Sequence, residues 1–499
     1  MSGKIRTFDP ATGKSTSTAL READANEVAD ACRRAAELAA NGMGDRHRRA
    51  DLLRAMAEAF EAYGDEIVST AMRETALAEP RLQGELKRVC FQLRMFADVV
   101  SEGSYLEATI DRPGDTAMGP RPDLRRMLMP IGPVVVFGAS NFPLAFSVPG
   151  GDTVAALAAG CPVVVKAHPA HPLTSQLCAE VMQEVLADKG FESRVLQVLH
   201  GFEAGRNLVL DPNVAAVAFT GSAAGGQALS DLIATRPDPI PFYGELSGIN
   251  PAVVTPGAAA RRTYDVADGL AGAVTGSAGQ LCTKPGVVLV PRGEDGDRLV
   301  ARLREMVGSE PVPLLTAGIA QSYRERVATI TGAREQKVDD SNCQVVPTVL
   351  EIDDDEHGKW DEIFGPITVV VRYGDFDELR QELENAPGTL CVSVHHDDHE
   401  DDLVRALTRL LVPLAGRLVY NQQTTGVAVA WAQTHGGPWP STTSSLHTSV
   451  GPTAMRRFLR PITWQGAPPH VLPEELADTD TSVPLRVDGV LVLPGRDHE

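Results

Sequence analysis

Four short apolar runs alternate with helical segments between residues 134 and 220, and this alternation limits the possible folds more than any other feature. The runs lie at 134–137, 162–166, 195–199 and 215–220. Each run is short and apolar, and valine is frequent in most of them. This composition favours a strand that is buried on both faces. Strands that alternate with helices at this spacing form a parallel sheet between helical layers. We therefore predict a Rossmann-type half of the protein.

The pattern extends on both sides of this region. Apolar residues recur at helical spacing over 20–65, with a break at the glycines near residue 42, and again over 81–101. After residue 245, helices are predicted at 264–275 and 297–307. Strands are predicted at 251–254, 345–350, 367–372, 391–395 and 417–420. These elements indicate a second α/β unit.

Two segments do not follow the alternation. Residues 107–130 are rich in proline, glycine and charge, which predicts a connection or an exposed arm. The tail from Pro468 carries one predicted strand, 490–492, among prolines and acids. We interpret the tail as an arm that packs on a neighbouring subunit.

Charge and cysteine content exclude several classes of protein. The 499 residues carry 46 basic and 66 acidic side chains, a formal net charge of −20. This charge opposes nonspecific binding to nucleic acid or to an anionic membrane. The seven cysteines are scattered and odd in number, unlike a secreted disulfide framework. Glycine and proline interrupt the longest apolar region, 131–165, so it is not a transmembrane helix. We expect a cytoplasmic protein.

One cysteine stands in a setting that favours chemistry. Cys282 lies in a loop with three glycines and a proline, residues 276–286, called the cysteine loop below. The apolar run that follows predicts a buried strand. A thiol on a stiff turn at a sheet edge, beside backbone N–H donors, suits a nucleophile. The alternative is that Cys282 is a small buried hydrophobic residue, as most intracellular cysteines are.

Three other positions have both a chemical and an ordinary interpretation. Gly221 and Ser222 form a turn between a strand and a helix, where backbone N–H groups bind phosphate, but glycine turns also occur without ligands. Lys166 ends a strand where ligands bind in open α/β sheets, or it is a surface lysine. Glu245 lies in an apolar stretch that would raise its pKa and make it a general base, or it is ion-paired.

Two groups of histidines contain residue types that bind metal ions. His395, His396 and His399 adjoin acidic residues, which favours a solvated turn. His168 and His171 lack the spacing of zinc ligands on a helix. We therefore predict no metal site. A cysteine hydrolase that uses Cys282 with His435 would explain a nucleophile and a base, but it leaves the Rossmann half unexplained.

Together, these motifs have the order and spacing of the aldehyde dehydrogenase superfamily, which the chain resembles from about residue 20 to 465. The shared motifs are Asn141-Phe142-Pro143, Lys166, residues 219–222, Glu245-Leu246, residues 279–282 and residues 362–366. Further stretches, such as 166–172 and 435–438, are most similar to the branch of α-ketoglutaric semialdehyde (2,5-dioxovalerate) dehydrogenases. Bacterial NADP-dependent fatty-aldehyde dehydrogenases are the nearest alternative.

The resemblance implies a role for each conserved motif position. Cys282 would attack an aldehyde to give a thiohemiacetal, with the Asn141 amide holding the oxyanion. After hydride transfer to the nicotinamide, Glu245 would activate water to hydrolyse the thioester and release a carboxylic acid. Lys166 and Glu362 would bind the two riboses. Phe364 would pack near the nicotinamide, and Gly221 with Ser222 would face the pyrophosphate.

The cofactor and substrate can be predicted one step further from the resemblance. NAD-preferring relatives often carry a glutamate three residues after the ribose lysine, where this chain has Pro169 beside His168. A carboxylate at this position would repel the 2′-phosphate of NADP. Since the chain lacks it, NADP should be accepted, with NAD also possible. Arg206 is a candidate partner for the 2′-phosphate. For a substrate carboxylate, Arg94 is a candidate that could border the tunnel. Leu281, beside the nucleophile, departs from the usual motif and leaves the aldehyde open.

The resemblance implies a three-part aldehyde dehydrogenase fold of the α/β class. A Rossmann-type NAD(P)-binding domain would span 1–244, with an arm segment near 107–130. A catalytic domain would span 245–440, and a return segment with an oligomerisation arm would span 441–499. The expected oxidoreductase is a homodimer or homotetramer whose partner is a small-molecule aldehyde. A relative of this fold without catalytic activity is disfavoured because Cys282, Glu245 and Asn141 are all present.

Overall fold

Three larger sheets organise the computed structural model, which describes residues 3–246, 248–331, 343–352, 360–478 and 482–494. The described α-helices are α1 (Ala25–Asn41), α2 (Arg46–Ala62), α3 (Gly64–Thr75), α4 (Glu79–Glu102), α5 (Gly151–Ala159), α6 (Pro172–Asp188), α7 (Phe202–Leu210), α8 (Ala223–Ala234), α9 (Pro256–Arg261), α10 (Thr263–Thr275), α11 (Glu294–Val307), α12 (Ala317–Thr331), α13 (Phe376–Glu384) and α14 (Asp401–Leu411).

The strands follow the same chain order. They are β1 (Lys4–Asp9), β2 (Lys14–Arg21), β3 (Thr109–Asp111), β4 (Gly114–Thr116), β5 (Gly119–Arg121), β6 (Leu124–Pro130), β7 (Val134–Phe137), β8 (Val163–Lys166), β9 (Leu196–Leu199), β10 (Ala216–Thr220), β11 (Phe242–Glu245), β12 (Ala252–Val254), β13 (Val287–Pro291), β14 (Val312–Pro313), β15 (Gln344–Val345), β16 (Thr348–Ile352), β17 (Ile367–Tyr373), β18 (Thr389–His395), β19 (Ala415–Tyr420), β20 (Leu459–Gln465), β21 (Leu485–Val487) and β22 (Val490–Val492).

The first sheet is parallel throughout and has the strand order β11-β10-β7-β8-β9. Alternate residues of its strands enter two different hydrophobic clusters because successive side chains point to opposite faces. Val134 and Val136 pack with α2, α4, α5 and α6, whereas Val135 and Phe137 pack with α1 and α7. Burial on both faces explains the valine runs, and the predicted doubly covered sheet is confirmed.

The second sheet is also parallel and has the order β16-β17-β13-β12-β18-β19. Val288 and Val290 pack with α9, α10 and α11, while Val287 and Leu289 pack with α13 and α14. The structure thus confirms the second α/β unit. The cysteine loop leads directly into β13, a central strand of this sheet.

A third, mixed sheet was not predicted. Its order is β20-β6-β3-β21-β22, and β20 pairs antiparallel with β6 along seven residues. The segment 107–130, predicted as a connection or an exposed arm, contains β3, β4, β5 and β6, and its role as an arm stays a prediction. The partner of β6 is more than 320 residues away in sequence, so no local pattern indicates the pairing. The predicted strand at 490–492 is confirmed.

Several elements were not predicted, among them β1, β2, α3, β11, α12, α13 and α14. Helix α3 follows α2 with a break only at Tyr63. Strand β11 pairs with β10 at the edge of the first sheet, and Glu245 is its last residue. Within the described ranges, no helix is long and apolar enough to cross a membrane.

A buried ion pair ties the first unit to the segment that enters β20. The Arg457 guanidinium donates to Asp152 over 2.6 Å and, through Nε, to the Ala454 carbonyl over 3.0 Å. The Arg457 and Asp152 side chains are only 4% and 10% exposed. Since Asp152 lies in α5, this contact fixes 452–458 against the helix behind the first sheet.

We expect Arg457→Leu to destabilise the protein strongly, because it leaves the Asp152 carboxylate buried without its cation. Loss of one partner of a buried pair typically costs about 3–5 kcal/mol. The measurement is the thermal unfolding midpoint by circular dichroism. Arg456→Leu is the matched control, since Arg456 is 53% exposed and pairs with Glu107 at the surface. Equal midpoints for the two variants would contradict the expectation.

Candidate active site

The cysteine loop has a backbone that its sequence makes possible. Ser277, Ala278 and Gly279 have φ values of 51°, 53° and 68°, so the chain turns sharply between α10 and Cys282. A Cβ at Gly279 would lie 2.2 Å from the Gly365 carbonyl. Glycine is therefore required here by both the backbone angle and the close approach of a second loop.

The amide of Asn250 anchors this loop to the second sheet. Its Nδ2 donates to the backbone carbonyls of Cys282 at 2.8 Å and Lys284 at 3.1 Å. Its Oδ1 accepts from the Cys391 N–H and the Thr389 hydroxyl, both at 3.2 Å. Asn250 is fully buried and has a φ of 51°. No role was predicted for Asn250, although an asparagine before a strand is a recognisable signal of a tight turn.

Lys284 brings a second loop to the same place. Its Nζ donates to the carbonyls of Ile363 at 3.2 Å and Ile367 at 2.6 Å. Burial lowers the pKa of this amine to about 8, and the charge of Glu362 acts in the opposite direction. The predicted ribose ligand Glu362 and the half-buried Phe364 are therefore held beside the cysteine loop.

Glu245 is buried at the end of β11, surrounded by hydrogen-bond donors. Its Oε1 accepts from His435 Nε2 at 2.8 Å, and its Oε2 accepts from the Ser449 hydroxyl. Burial raises the pKa of Glu245, but His435, Ser449 and the Cys282 thiol outweigh it, so the pKa is lowered. The predicted rise in pKa was wrong, because these donors stabilise the charged form. The carboxylate is ionised at neutral pH and able to accept a proton.

The Cys282 thiol completes this cluster. Its Sγ lies 3.6 Å from His435 Nε2, and the reactive atoms of Cys282, His435 and Glu245 all lie within 4.8 Å of one another. Burial raises the pKa of the thiol well above its ordinary value, Glu245 and Glu362 add to the rise, and Arg88 opposes it. In the described part of the chain, this is the one place where three metal-binding side chains converge. The prediction of no metal remains a prediction.

Asn141 reaches the cysteine loop from the first unit. Its Nδ2 donates to the Gln280 carbonyl at 2.9 Å, two residues before the thiol. Arg81 supports this position by donating to the Asn141 carbonyl at 3.2 Å and to the Ser277 hydroxyl at 3.1 Å. Glu85 pairs with Arg81 and accepts from two backbone N–H groups of the turn after Asn141. Neither Arg81 nor Glu85 was singled out in the sequence, because both lie on a helix about 60 residues away.

The first sheet contributes a separate group of polar residues at its carboxyl edge. Lys166 ends β8, and no acceptor in the described ranges takes a hydrogen bond from its amine. Burial lowers the pKa of Lys166 to about 8 and that of neighbouring His200 to about 4. Burial also lowers the pKa of His168, whose Nδ1 accepts from the Ala170 N–H at 3.1 Å. A half-buried amine at the end of a strand fits the hydroxyl oxygens of a ribose.

The remaining predicted cofactor residues flank this edge. Ser222 caps α8 by accepting from the Gly225 N–H at 3.2 Å, and Gly221 precedes it at the end of β10. This start of α8 packs closely on β11, since a Cβ at Gly226 would overlap Leu246. Arg206 lies on α7, is 52% exposed and sits 3.7 Å from Glu203. Backbone N–H groups at a helix start suit a pyrophosphate, so this turn fits the predicted nucleotide.

Two expectations about charged residues need correction. Arg94 does not border the pocket, because it forms a bidentate pair with Glu61 at 2.6 and 2.7 Å on the exposed side of α4. His395 is not solvated but buried at the end of β18, where burial lowers its pKa to about 4. The following Asp397 pairs with Arg261 at the surface. The segment 395–399 therefore combines a core histidine with an ordinary surface turn.

The aldehyde dehydrogenase family profile matches residues 1–461. The chain belongs to this family, and it is an aldehyde-oxidising enzyme that uses NAD(P). It is 42% identical to α-ketoglutaric semialdehyde dehydrogenase 2 of Azospirillum brasilense, over 98% of this chain and 96% of that protein. It is 38% identical to α-ketoglutaric semialdehyde dehydrogenase of Acinetobacter baylyi, over 89% and 87% of the two chains.

The overall fold is also shared with solved structures. The NADP-dependent glyceraldehyde-3-phosphate dehydrogenase of Bacillus halodurans, crystallised with NADP, has a TM-score of 0.78 and 22% identity. The match covers 93% of this chain and 96% of that one. At this identity the likeness establishes the fold, which confirms the α/β architecture predicted from the sequence.

We expect Cys282 of the free enzyme to react slowly with iodoacetamide at neutral pH, because its thiol pKa is raised. The labelling rate should increase about tenfold per pH unit between pH 7 and 9, as the thiolate fraction does below the pKa. Mass spectrometry of the labelled peptide measures the rate. The other six cysteines are buried and should stay unlabelled in the folded protein. A rate that levels off below pH 8 would show a preformed thiolate and contradict the expectation.

Proposed function

We propose that this enzyme oxidises α-ketoglutaric semialdehyde to 2-oxoglutarate, with NADP preferred and NAD also accepted. The observation that carries the chemistry is the convergence of Cys282, Glu245 and Asn141 from three separate segments at one point. The substrate is supported by the names of the two relatives at 42% and 38% identity. Fatty or other aliphatic aldehydes are the alternative substrate class.

The first step joins the thiol to the aldehyde. The Cys282 proton passes to the ionised Glu245 carboxylate while sulfur attacks the carbonyl carbon, which gives a thiohemiacetal. The Asn141 amide and the Cys282 backbone N–H stabilise the oxygen that becomes negative. The high pKa of the resting thiol means that Glu245 must take the proton as the bond forms.

The later steps use the same carboxylate. When bound, NAD(P) accepts the hydride released from the thiohemiacetal carbon, which leaves a thioester on Cys282. Glu245 first releases the Cys282 proton to solvent and then takes a proton from the water that attacks the thioester. Collapse of the adduct releases the acid and the Cys282 thiolate, and the proton on Glu245 returns to the sulfur. His435 and Ser449 hold the two Glu245 oxygens in position for both proton transfers.

The nucleotide would lie along the carboxyl edge of the first sheet. Lys166 and Glu362 would bind the riboses, Gly221 and Ser222 would face the pyrophosphate, and Phe364 would pack near the nicotinamide. NADP is favoured because position 169 carries proline rather than a carboxylate. Arg206 and His168 are our candidates for contact with its extra phosphate.

The same proposal covers organisation and location. The NAD(P)-binding domain spans 1–244, the catalytic domain 245–440, and the return segment with the oligomerisation arm 441–499. A homodimer or homotetramer would form through the mixed third sheet, which ends in the short strands β21 and β22. Seven unpaired cysteines favour a reducing compartment, the cytoplasm.

The substrate proposal predicts a defined order of activity. α-Ketoglutaric semialdehyde should have a higher kcat/KM than succinic semialdehyde, glutaraldehyde or a medium-chain alkanal. Reduced-nicotinamide absorbance measures the rate for each aldehyde with NADP and with NAD. Cys282→Ala should lower every rate by about 10³-fold or more, since the nucleophile is lost.

Each contrary result identifies a different error. A preference for the alkanal would keep the enzyme class and replace the substrate. Ester or amide cleavage without any reduced nicotinamide would favour the hydrolase alternative. In that alternative His435 Nε2, which lies 3.6 Å from the Cys282 sulfur, would act as the base.

The cofactor proposal predicts opposite effects for two neighbours on α7. Arg206→Ala should lower kcat/KM for NADP about tenfold, because a charge-assisted hydrogen bond to the phosphate is lost, and should leave NAD unchanged. Glu203→Gln should raise the NADP preference, since Glu203 competes for Arg206 at 3.7 Å. An unchanged NADP/NAD ratio in both variants would remove Arg206 from the cofactor site.

A further inference from the structure

Arg88 is a buried cation beside the thiol that lacks the partners such a group normally has. It lies on α4, and only its Nη1 is engaged, donating to the Val427 carbonyl at 2.5 Å. Its Nε and Nη2 are buried, and neither has a hydrogen-bond partner in the described part of the chain. Nearly all buried polar groups in proteins are hydrogen-bonded, so two free donors on one guanidinium require an explanation.

The position of Arg88 connects it to the reacting atoms. Its guanidinium carbon lies 5.7 Å from the ring centre of Phe146, and Phe146 packs edge-on to His435 with ring centres 6.4 Å apart. His435 in turn lies 3.6 Å from the Cys282 sulfur. The charge of Arg88 reaches both Cys282 and Glu245, since it lowers the pKa of the thiol. Arg88 therefore lies one aromatic ring away from the histidine beside the nucleophile, and its charge acts on the nucleophile.

The nearby carboxylates are already occupied. Glu85 pairs with Arg81 and accepts two backbone hydrogen bonds from the turn after Asn141. Glu245 is held by His435 and Ser449. Within the described ranges, Arg88 forms no ion pair with a protein side chain. A buried charge without a counterion is costly, so the pocket is suited to a ligand that supplies the anion.

We infer that Arg88 binds the carboxylate of the substrate, at the end of the molecule opposite the aldehyde that Cys282 attacks. This inference rests on the proposed function and identifies the residue that recognises the acid group. The free Nε and Nη2 form a fork that matches the two oxygens of a carboxylate. The Nη1 contact with Val427 and the Phe146 ring fix the plane of the fork.

The same arrangement selects against uncharged aldehydes. An alkanal in the pocket would leave the Arg88 fork buried and unpaired, whereas an ω-oxo acid satisfies it. Sites built to pair a polar group reject analogues that lack the group far more strongly than sites that only test size. The carboxylate does not take part in the reaction, so its contact is made equally before and during the chemical step. Loss of this contact should therefore raise KM more than it lowers kcat.

The test compares Arg88→Met with Arg94→Met, a matched change six residues along α4 at a surface ion pair. Each is assayed with α-ketoglutaric semialdehyde and with pentanal, an aldehyde of the same chain length without the acid group. For Arg88→Met we expect kcat/KM for the semialdehyde to fall about 100-fold, mainly through KM, and kcat/KM for pentanal to fall far less. Arg88→Lys should recover part of the loss, and Arg94→Met should match wild type with both substrates.

The outcomes separate this inference from the function on which it rests. A wild-type enzyme that does not prefer the semialdehyde would overturn the proposed substrate, whatever the variants do. A wild-type preference that persists in Arg88→Met would overturn the role of Arg88 alone. An equal loss with both aldehydes would mean that Arg88 acts on the thiol or the fold, and would also overturn it. Glutarate, tested as a competitive inhibitor, should bind wild type more tightly than Arg88→Met, and equal inhibition would count against the inference.

Discussion

The buried amide of Asn250 is the contact on which the active site depends. It replaces the hydrogen bonds that the cysteine loop cannot make within itself, because a loop of left-handed residues has no ladder or helix to satisfy its carbonyls. By binding the Cys282 and Lys284 carbonyls it fixes the thiol relative to β18. Lys284 then holds loop 362–367, and the Asn141 amide reaches Gln280 in the same loop. Rigid placement of this kind is what lets an oxyanion meet its donors without reorganisation.

The charges of the pocket differ in sign from those of the molecule. The chain carries a formal charge of −20, yet the half-buried Lys166 and Arg88 are cations near the proposed ligands, and two buried donors of Arg88 have no partner in the described ranges. The carboxylate closest to the thiol chemistry, Glu245, keeps its charge through two dedicated donors. A proposed nucleotide and a proposed oxo acid are both anionic. The local cations therefore offer them counterions inside a protein whose net charge is strongly negative.

The sequence predicted the two parallel sheets well, and the reason is physical. A strand covered on both faces must be apolar at every position, so β7, β8 and β13 are readable without knowing their neighbours. The third sheet is different, because β6 has four half-buried residues among its seven and pairs with β20 from the far end of the chain. Helix α4 was also predicted, but its orientation was not. Arg88 and Arg94 lie about 120° apart around it, and only packing decides which one faces the active site.

By itself, the sequence determined the valine strands, the glycine turn that shapes the cysteine loop, and the identity and order of Cys282, Glu245 and Asn141. These follow from local patterns, because a few adjacent residues are enough to identify a turn, a buried strand or a family motif. The tertiary structure decided the electrostatics. The pKa of Glu245 is lowered rather than raised because His435 and Ser449, about 200 residues away, donate to it. A pKa and a free donor depend on which groups meet in space, and that depends on how the whole chain packs.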